Sequence, residues 1–470
     1  MCRVGDDYYL VNSSFEFFPG LPLWHSRDLV TWTQVGHAIT RTSQFAAGAF
    51  RPSMGIYAPT LRHRDGTFYL ITTAVEGGDG HMLLKAPDIS GPWSDPIPVR
   101  GLEGFDPDLA WDDDGTCLVT YCANDMVKPL GIHQAAIDLS TGEVLETPRL
   151  IWAGTGLQWP EGPHLYKRGD WWHLVIAEGG TDRGHVVCVA RSRSARGPFE
   201  GAPHNPIFTR RSTSHPVEST GHADLVERPD GTWAAVYLAV RSHGWVPRQH
   251  VNGRETFLAG IDWVDDWPVF VDDAFDIPDP DHDFDDDFPA DAPLASRWIS
   301  PGLPVEDFAT ALPAGGLEVR PASAPAGTMS GLFARARDRH WEAKVELEPR
   351  DSSVDVVLRM DERHWFAMRI ADGEAASAVR IGDTRSLSKA VAWSGDTVTI
   401  AIRSVPPTTR GPDDVELSVV TADGESLLER LDGRYLSMEV AGGFTGRVIG
   451  VVAHDGAPVV RRFTYRSKEY

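Results

Sequence analysis

Three side chains with acid–base chemistry stand at the same point of a pattern that repeats along the first 270 residues. Asp106, Glu161 and His222 each precede the glycine of a turn by eight or nine positions. Two carboxylates that meet at the mouth of a closed β architecture suit acid–base cleavage of a glycosidic bond. The like charges of Asp106 and Glu161 in a partly dry funnel should raise one pKa and keep one carboxyl protonated near neutral pH. A single carboxylate would more simply cap a turn or face solvent. The prediction of a catalytic site therefore depends on all three residues occupying the same position of the repeat.

The pattern around these residues predicts one antiparallel sheet in each repeat. A short apolar run is followed by an Asp-Gly or Gly-Asp turn and then by a β-rich strand, as in residues 106–121. Copies begin at Ala58, Asp106, Glu161 and His222, and residues 1–15 resemble the second half of a fifth copy. Such turns between apolar runs are strong hairpin signals, and repeats of roughly 50–60 residues with one sheet each are typical of propellers. We therefore predict an all-β fold with a five-bladed β-propeller, whose innermost strands bring these positions to one axis.

The composition changes after residue 271. Residues 272–290 are acidic and rich in proline, which is typical of a linker. Their aspartates lack the glycine and the terminal glutamate of a calcium-binding loop, so a solvated linker is favoured over a calcium site. Beyond it, runs such as residues 340–347 and 398–402 alternate between apolar and polar side chains. We predict a catalytic propeller over residues 1–271, an acidic linker over 272–290 and a β-sandwich over 291–470.

The acidic composition limits the classes of partner. A formal net charge of −23 at pH 7 argues against nucleic acid and against an anionic membrane surface, because both attract basic proteins. A neutral sugar is compatible with this charge. The four cysteines (Cys2, Cys117, Cys122 and Cys188) show neither metal-ligand spacing nor disulfide-rich density, so we predict buried, reduced thiols, no metal site and a cytoplasmic location. No stretch reaches the ~18 apolar residues of a membrane span, and the N-terminus shows no signal-peptide pattern.

Several motifs resemble glycoside hydrolase family 43, and in particular its two-domain β-xylosidase branch. The resemblance covers nearly the whole chain and is weaker after the linker. The motifs that carry it are Gly5-Asp6-Asp7-Tyr8-Tyr9-Leu10-Val11, Ser14-Phe15-Glu16-Phe17-Phe18-Pro19-Gly20-Leu21-Pro22, His25-Ser26-Arg27-Asp28-Leu29, Ala58-Pro59-Thr60, Phe105-Asp106-Pro107, Pro160-Glu161-Gly162-Pro163-His164-Leu165-Tyr166-Lys167 and Gly253-Arg254-Glu255-Thr256. It implies a five-bladed propeller followed by a concanavalin A-like jelly-roll sandwich. It also implies an oligosaccharide substrate and no required cofactor. A calcium ion or a water near His222 and a homo-oligomeric state are both compatible with it.

The resemblance implies catalytic roles for two of the residues found above. Glu161 would be the general acid, and Asp106 would tune its pKa and orient it. The general base of the family is the first Asp of a Pro-Asp-Pro-Ser-type motif, three residues ahead of the position aligned with Met1. The internal repeat marks nearly the same point, because counting back eight positions from Gly5 also falls just before Met1. We therefore expect the chain as written to be catalytically impaired, with its base, and any leader, upstream of Met1.

The resemblance also implies the residues that bind the sugar. Phe15 resembles the aromatic that packs on the bound xylose, and Arg254 resembles the arginine that hydrogen-bonds the xylose hydroxyls. His222 matches the axial histidine that holds a water or a cation. Tyr57 stands where members of this branch often carry Trp, and this departure alters the sugar platform.

Together, the residues and the resemblance predict an inverting glycoside hydrolase. It would release terminal xylose or arabinofuranose from short plant-derived oligosaccharides, with the carboxyl groups of Glu161 and of the upstream base ~6.5–9.5 Å apart. Two other classes stay open. A catalytically inactive sugar-binding propeller is favoured if Met1 is the true start, whereas a purely structural propeller would have an axis mouth lined by apolar residues.

Overall fold

The structure is built almost entirely of β-strands. The computed structural model of the chain describes residues 1–45, 50–123, 129–322, 329–388, 390–421 and 424–470. Five four-stranded antiparallel sheets come first, and two larger sheets follow them. The predicted all-β fold, with a five-bladed propeller and a C-terminal sandwich, is confirmed.

Each propeller blade is a four-stranded sheet whose strands pair in chain order. The first blade region contains β1 (Cys2–Val4), β2 (Asp7–Val11), β3 (Phe17–Phe18), β4 (Gly20–Ser26) and β5 (Thr33–Ile39), of which β3 lies outside the blade sheet. The second blade contains β6 (Thr60–Arg64), β7 (Thr67–Ala74), β8 (Gly80–Ala86) and β9 (Ile97–Val99). The third contains β10 (Gly104–Trp111), β11 (Cys117–Ala123), β12 (Ile132–Ala136) and β13 (Arg149–Trp152). The fourth contains β14 (Glu161–Arg168), β15 (Trp171–Glu178), β16 (Val186–Ser192) and β17 (Glu200–Gly201). The fifth contains β18 (Val217–Glu227), β19 (Trp233–Arg241), β20 (Glu255–Val264) and β21 (Trp267–Val271).

The turns between the first two strands of blades two to five are made by the glycines that the sequence pattern marked. Gly66, Gly115, Gly169 and Gly231 have φ angles of 74°, 87°, 59° and 81°. This left-handed conformation costs a glycine little, because it has no Cβ to clash with the backbone. The hairpin signal in the sequence therefore corresponds to a specific backbone requirement.

The first strands of neighbouring blades contact one another around a central channel. Partway along this channel, the fully buried Asp108 accepts hydrogen bonds from Arg62 Nη2 at 2.6 Å and from the Leu165 amide at 2.9 Å. Tyr166 donates its hydroxyl proton to the buried Asp224. Below this network the channel widens into a cavity of about 530 Å³ lined by all five first strands. The ion pairs thus separate the two ends of the axis.

The C-terminal region is a sandwich of two antiparallel sheets. Its strands are β22 (Phe284–Asp286), β23 (Ser300–Pro301), β24 (Ala309–Ala311), β25 (Leu317–Val319), β26 (Leu332–Arg335), β27 (Trp341–Glu348), β28 (Val354–Asp361), β29 (His364–Ala371), β30 (Glu374–Ile381), β31 (Thr384–Leu387), β32 (Val391–Ala392), β33 (Val398–Val405), β34 (Asp414–Thr421), β35 (Gly424–Asp432), β36 (Val448–Ala453) and β37 (Val459–Ser467). One sheet has the order β24-β25-β37-β27-β33-β34-β35, and the other has the order β26-β36-β28-β29-β30-β31. Two 3₁₀ helices (Val305–Asp307 and Gly433–Leu436) and one short helix, α1 (Met438–Ala441), complete the described elements. Along β27 buried and half-buried residues alternate, as the period-two pattern predicted.

The segment predicted as a linker contains a strand of the sandwich. The propeller ends with β21 at Val271, and β22 then pairs with β37. Asp285 in β22 forms an ion pair with Arg462 of β37 at 2.6 Å. Asp285 is therefore exposed and at the same time paired with a basic residue of the neighbouring strand.

The two domains are joined by backbone pairing and by apolar packing. In the propeller, β3 pairs with β23 of the sandwich, through Phe18 opposite Ser300 and Phe17 opposite Pro301. Phe17 is only 3% exposed, and its side chain packs in a cluster otherwise made of sandwich residues. Residues on either side of β3 are consequently held at the interface, and this interface lies next to the mouth of the propeller.

Candidate active site

The first strands of three blades bulge at the same level, and the bulges position the predicted site residues. The register between first and second strand shifts in β10, β14 and β18. The unpaired part of each bulge begins with Asp106, Gly162 and His222, whose φ angles are 52°, 56° and 49°. A bulge bends the strand and redirects side chains, and non-glycine residues in this strained conformation cluster at functional sites. Glu161 lies one residue before the bulge, so its predicted equivalence to Asp106 and His222 is wrong by one position.

Burial and mutual charge separate the protonation states of the two carboxyl groups. Burial, and after it the negative charge of Asp106, raises the pKa of Glu161 to about 8, against the opposing charge of Arg254. Burial also raises the pKa of Asp106 to about 6. The charge of Arg254 and a hydrogen bond from the Gly162 amide, at 3.1 Å, favour the ionised form of Asp106. Near pH 7, Glu161 is therefore protonated and Asp106 is ionised, which is the arrangement expected of an acid beside its modulator.

Arg254 lies between the carboxyl groups and the aromatic side chains. Its guanidinium carbon is 5.5 Å from the ring centre of Phe15 and 4.8 Å from that of Phe444. Its Nη1 donates a hydrogen bond to Thr181 Oγ1 at 2.9 Å. The buried Nε of Arg254 has no hydrogen-bond partner within the described part of the chain. Part of the hydrogen-bonding capacity of the guanidinium is therefore unused among these residues.

Three aromatic rings form one wall of the pocket. The ring centroid of Phe15 lies 5.7 Å from that of Tyr57, edge to face, and 5.8 Å from that of Phe444, stacked. Tyr57 and Phe444 are 6.0 Å apart and perpendicular. The Tyr57 hydroxyl donates to Met54 Sδ at 3.3 Å, which holds its ring in place. Such rings offer the apolar faces on which the C–H face of a sugar can pack.

Phe444 belongs to the sandwich and was not among the residues predicted from the sequence. Its loop approaches the propeller closely at two glycines, since a Cβ on Gly253 would lie 2.5 Å from the Gly446 amide nitrogen. A Cβ on Gly446 would in turn lie 2.0 Å from the Asn252 carbonyl oxygen. Glycines on both sides of this aromatic, in the run 442–446, were the one local signal of such an approach.

His222 borders the carboxyl groups on the channel side. Its Nδ1 lies 4.0 Å from Asp106 Oδ2, and its ring covers Gly162, where an added Cβ would lie 2.9 Å from three ring atoms. Burial, followed by the charges of His164, His185 and Arg254, lowers the pKa of His222 well below its ordinary value. The imidazole is therefore neutral near pH 7. Among the described residues, no three His, Cys, Asp or Glu side chains are grouped as metal ligands.

The structure thus brings all six predicted site residues into one cluster. Contacts or charge interactions connect Asp106, Glu161, Arg254, Phe15, Tyr57 and His222. Two carboxyl groups with separated pKa values, an arginine and an aromatic wall at the mouth of a β-propeller define a carbohydrate-active site of the glycosidase type.

Comparison with known families agrees with this class. Residues 1–268 match the model of the glycosyl hydrolases family 43, and residues 285–462 match the β-xylosidase C-terminal concanavalin A-like domain. The chain is a glycoside hydrolase of family 43. Helices long and apolar enough to cross a membrane are absent from the described residues.

Individual relatives cover the chain to different extents. A non-reducing-end α-L-arabinofuranosidase of Bacteroides ovatus is 34% identical over 485 aligned positions, which cover 96% of this chain and 88% of that protein. A xylan 1,3-β-xylosidase of a Vibrio species is 40% identical over 291 positions, covering 57% of this chain and about half, 54%, of that protein. The solved structure of a xylan β-1,4-xylosidase from Bacillus halodurans superposes with a TM-score of 0.88 at 28% identity, covering 99% of this chain and 97% of that one.

Proposed function

We propose that this family 43 hydrolase releases a terminal xylose or arabinofuranose residue from short oligosaccharides, with inversion. The observation that carries the proposal is the pair of buried carboxyl groups of Asp106 and Glu161, whose pKa values burial raises, beside Arg254 and the rings of Phe15, Tyr57 and Phe444. The names of the relatives support the choice of a pentose, because they describe xylosidases and arabinofuranosidases.

The geometry suggests how this chain's residues share the reaction. Glu161 donates its proton to the glycosidic oxygen as the bond from that oxygen to the anomeric carbon breaks. The negative charge of Asp106 opposes ionisation of Glu161, so Glu161 stays protonated before the glycosidic bond breaks. Arg254 holds the sugar hydroxyls through its guanidinium, and Phe15 carries the sugar ring. Inversion also needs a base that activates the attacking water.

The shape of the pocket favours attack at a chain end. The sandwich loop at Phe444 covers one side of the mouth. The ionic network of Arg62 and Asp108 fills the axis on the other side of the site. A pocket closed in both directions accepts a terminal residue more readily than the middle of a polymer.

The predicted alternatives are weaker after these observations. The relatives' names describe enzymes, which does not favour an inactive sugar-binding propeller. A purely structural propeller was expected to have an apolar axis mouth, whereas the mouth holds Asp106, Glu161 and Arg254.

Three finer predictions remain proposals. Beside His222 we propose a bound water rather than calcium, because calcium takes six to eight oxygen ligands and the described groups that interact with His222 are two carboxylates, two imidazoles and the Arg254 guanidinium. A homo-oligomeric state and a cytoplasmic location stay predictions from the resemblance and from the composition.

The proposed function is tested by the dependence of Glu161 variants on the leaving group. Glu161→Gln should lose about 10²–10⁴-fold in kcat/KM on xylobiose, whose departing oxygen is basic and needs an acid. On an activated aryl β-xyloside or aryl α-L-arabinofuranoside the loss should be far smaller. The two aryl glycosides together also report which pentose is preferred.

The matched control is Glu200→Gln, because Glu200 is exposed on an outer strand of the fourth blade. It should leave both activities unchanged. Equal losses on both classes of substrate in Glu161→Gln would remove Glu161 from the acid role. Failure of the unaltered chain to bind either pentose would reject the proposed function itself.

A further inference from the structure

The sandwich loop that carries Phe444 is attached to the propeller through Ser53. The Phe444 amide donates a hydrogen bond to Ser53 Oγ at 2.7 Å. The neighbouring Gly443 packs on the same hydroxyl, since a Cβ at Gly443 would lie 2.3 Å from Ser53 Oγ. Ser53 is only 3% exposed and has a φ angle of 61°, which is strained for a serine. Something must therefore hold Ser53 in this conformation.

The side chain that holds Ser53 is Glu16. Its Oε2 accepts a hydrogen bond from the Ser53 amide at 3.0 Å, and the carboxyl is almost completely buried, at 2% exposure. Its backbone oxygen accepts a hydrogen bond from the Gly302 amide of the sandwich at 2.8 Å. The second carboxyl oxygen, Oε1, is buried and has no hydrogen-bond partner among the residues that the structure describes.

Glu16 is also covalently next to Phe15, the sugar platform. Phe15 is fixed by two backbone hydrogen bonds with Ile56, at 2.9 and 3.1 Å. Its ring stacks on Phe444 with an interplanar angle of 28°. Phe15 thus forms one side of the aromatic wall, and the carboxyl group of the next residue, Glu16, binds the residue that holds Phe444 on the other side. A buried carboxyl with one orphaned oxygen is costly to keep, so a purely packing role would be served better by an apolar residue.

We propose that Glu16 is a positioning residue, which holds Ser53 and through it the Phe444 loop of the sandwich at the distance that closes the sugar pocket. The inference rests on the proposed function in one respect, namely that this pocket binds a pentose. The attachment of the loop can be measured without any sugar, so failure of the inference and failure of the proposed function are distinguishable.

The first measurement is hydrogen–deuterium exchange of the peptide that covers residues 442–446. Glu16→Ala and Ser53→Ala should each speed exchange of this peptide about five- to tenfold, as expected for loss of one hydrogen bond. Glu16→Gln keeps an oxygen acceptor for the Ser53 amide and should restore protection. Glu200→Ala, at an exposed position, is the control for substitution as such. If Glu16→Ala unfolds the protein, Glu16→Met decides this arm, because it keeps most of the side-chain volume but offers the Ser53 amide no oxygen acceptor.

The second measurement is xylose affinity by titration calorimetry. Phe444→Ala and Glu16→Ala should each weaken binding about three- to tenfold, the value of one aromatic contact. In a Phe444→Ala background, Glu16→Ala should have no further effect, because both changes remove the same wall. Additive losses, or unchanged exchange of residues 442–446 in both Glu16→Ala and Ser53→Ala, would overturn the inference. Absence of xylose and arabinose binding in the unaltered chain, with exchange altered as expected, would reject the proposed function and leave the attachment standing.

Discussion

The charge of Asp106 should set the pH above which the enzyme loses its acid. Asp106→Asn removes that charge while keeping an oxygen that can accept the hydrogen bond from the Gly162 amide. The pKa of Glu161 rises from 4.5 to about 8, with burial as the larger cause and the charge of Asp106 as the second. Because burial persists in the variant, the pKa of Glu161 should fall by only about 1 to 2 pH units, the usual effect of one neighbouring charge.

This shift translates into a measurable loss. At pH 8 about half of Glu161 is protonated in the unaltered protein. A fall of about 1 to 2 pH units leaves roughly one-tenth to one-hundredth protonated, so kcat/KM at pH 8 should drop about five- to fiftyfold more than at pH 5. The ionisation near pH 6 that belongs to Asp106 should disappear from the profile as well.

The assay is release of xylose from xylobiose between pH 4.5 and 9. An activated aryl glycoside would hide the effect, because its departure needs no acid. Asp6→Asn, at an exposed turn outside the site, serves as the matched control. If the alkaline limb of Asp106→Asn coincides with that of the unaltered protein while activity falls at all pH values, the charge of Asp106 does not tune Glu161 and the electrostatic reasoning is refuted.

Two further predictions concern stability and the domain interface. Burial raises the pKa of Glu16 from 4.5 to about 7. The folded protein therefore binds the Glu16 proton more tightly than the unfolded chain does. As the pH rises from about 4.5 to 7, ionisation of Glu16 progressively destabilises the folded state. Glu16→Gln should accordingly raise the free energy of unfolding by up to ~3 kcal/mol at pH 8 and change it little below pH 4.5, as measured by urea denaturation; lower stability at pH 8 would contradict this. Residues 1–271 expressed alone should aggregate or lose activity, because Phe17 and the β3 edge lose their sandwich partners; a soluble fragment with full activity on xylobiose would show that the sandwich is dispensable.

Several parts of the fold and site follow from local sequence, for a physical reason. The turns at Gly115 and Gly231 require a left-handed backbone, which residues other than glycine adopt at a cost. The spacing of such glycines in the sequence therefore predicts where the hairpins lie. Alternation of side chains along β27 records which face is buried, because successive residues of a strand point to opposite sides. Once five such hairpins are arranged around an axis, Asp106 and His222 must face it. The repeat therefore predicted both the propeller and the residues at its mouth.

What local sequence did not contain depends on contacts between distant residues. The bulges in the first strands form between paired strands and have no composition signal of their own, so the sequence did not show that Glu161 lies just before one. The acidic segment around Asp285 is a strand because its backbone pairs with β37, which lies some 177 positions later in the chain. Phe444 meets Ser53 across 391 positions, and Glu16 becomes buried only when the two domains close on it. Such contacts leave no periodic trace in either partner, since each satisfies its local rules without the other, and only the tertiary arrangement decides that they meet.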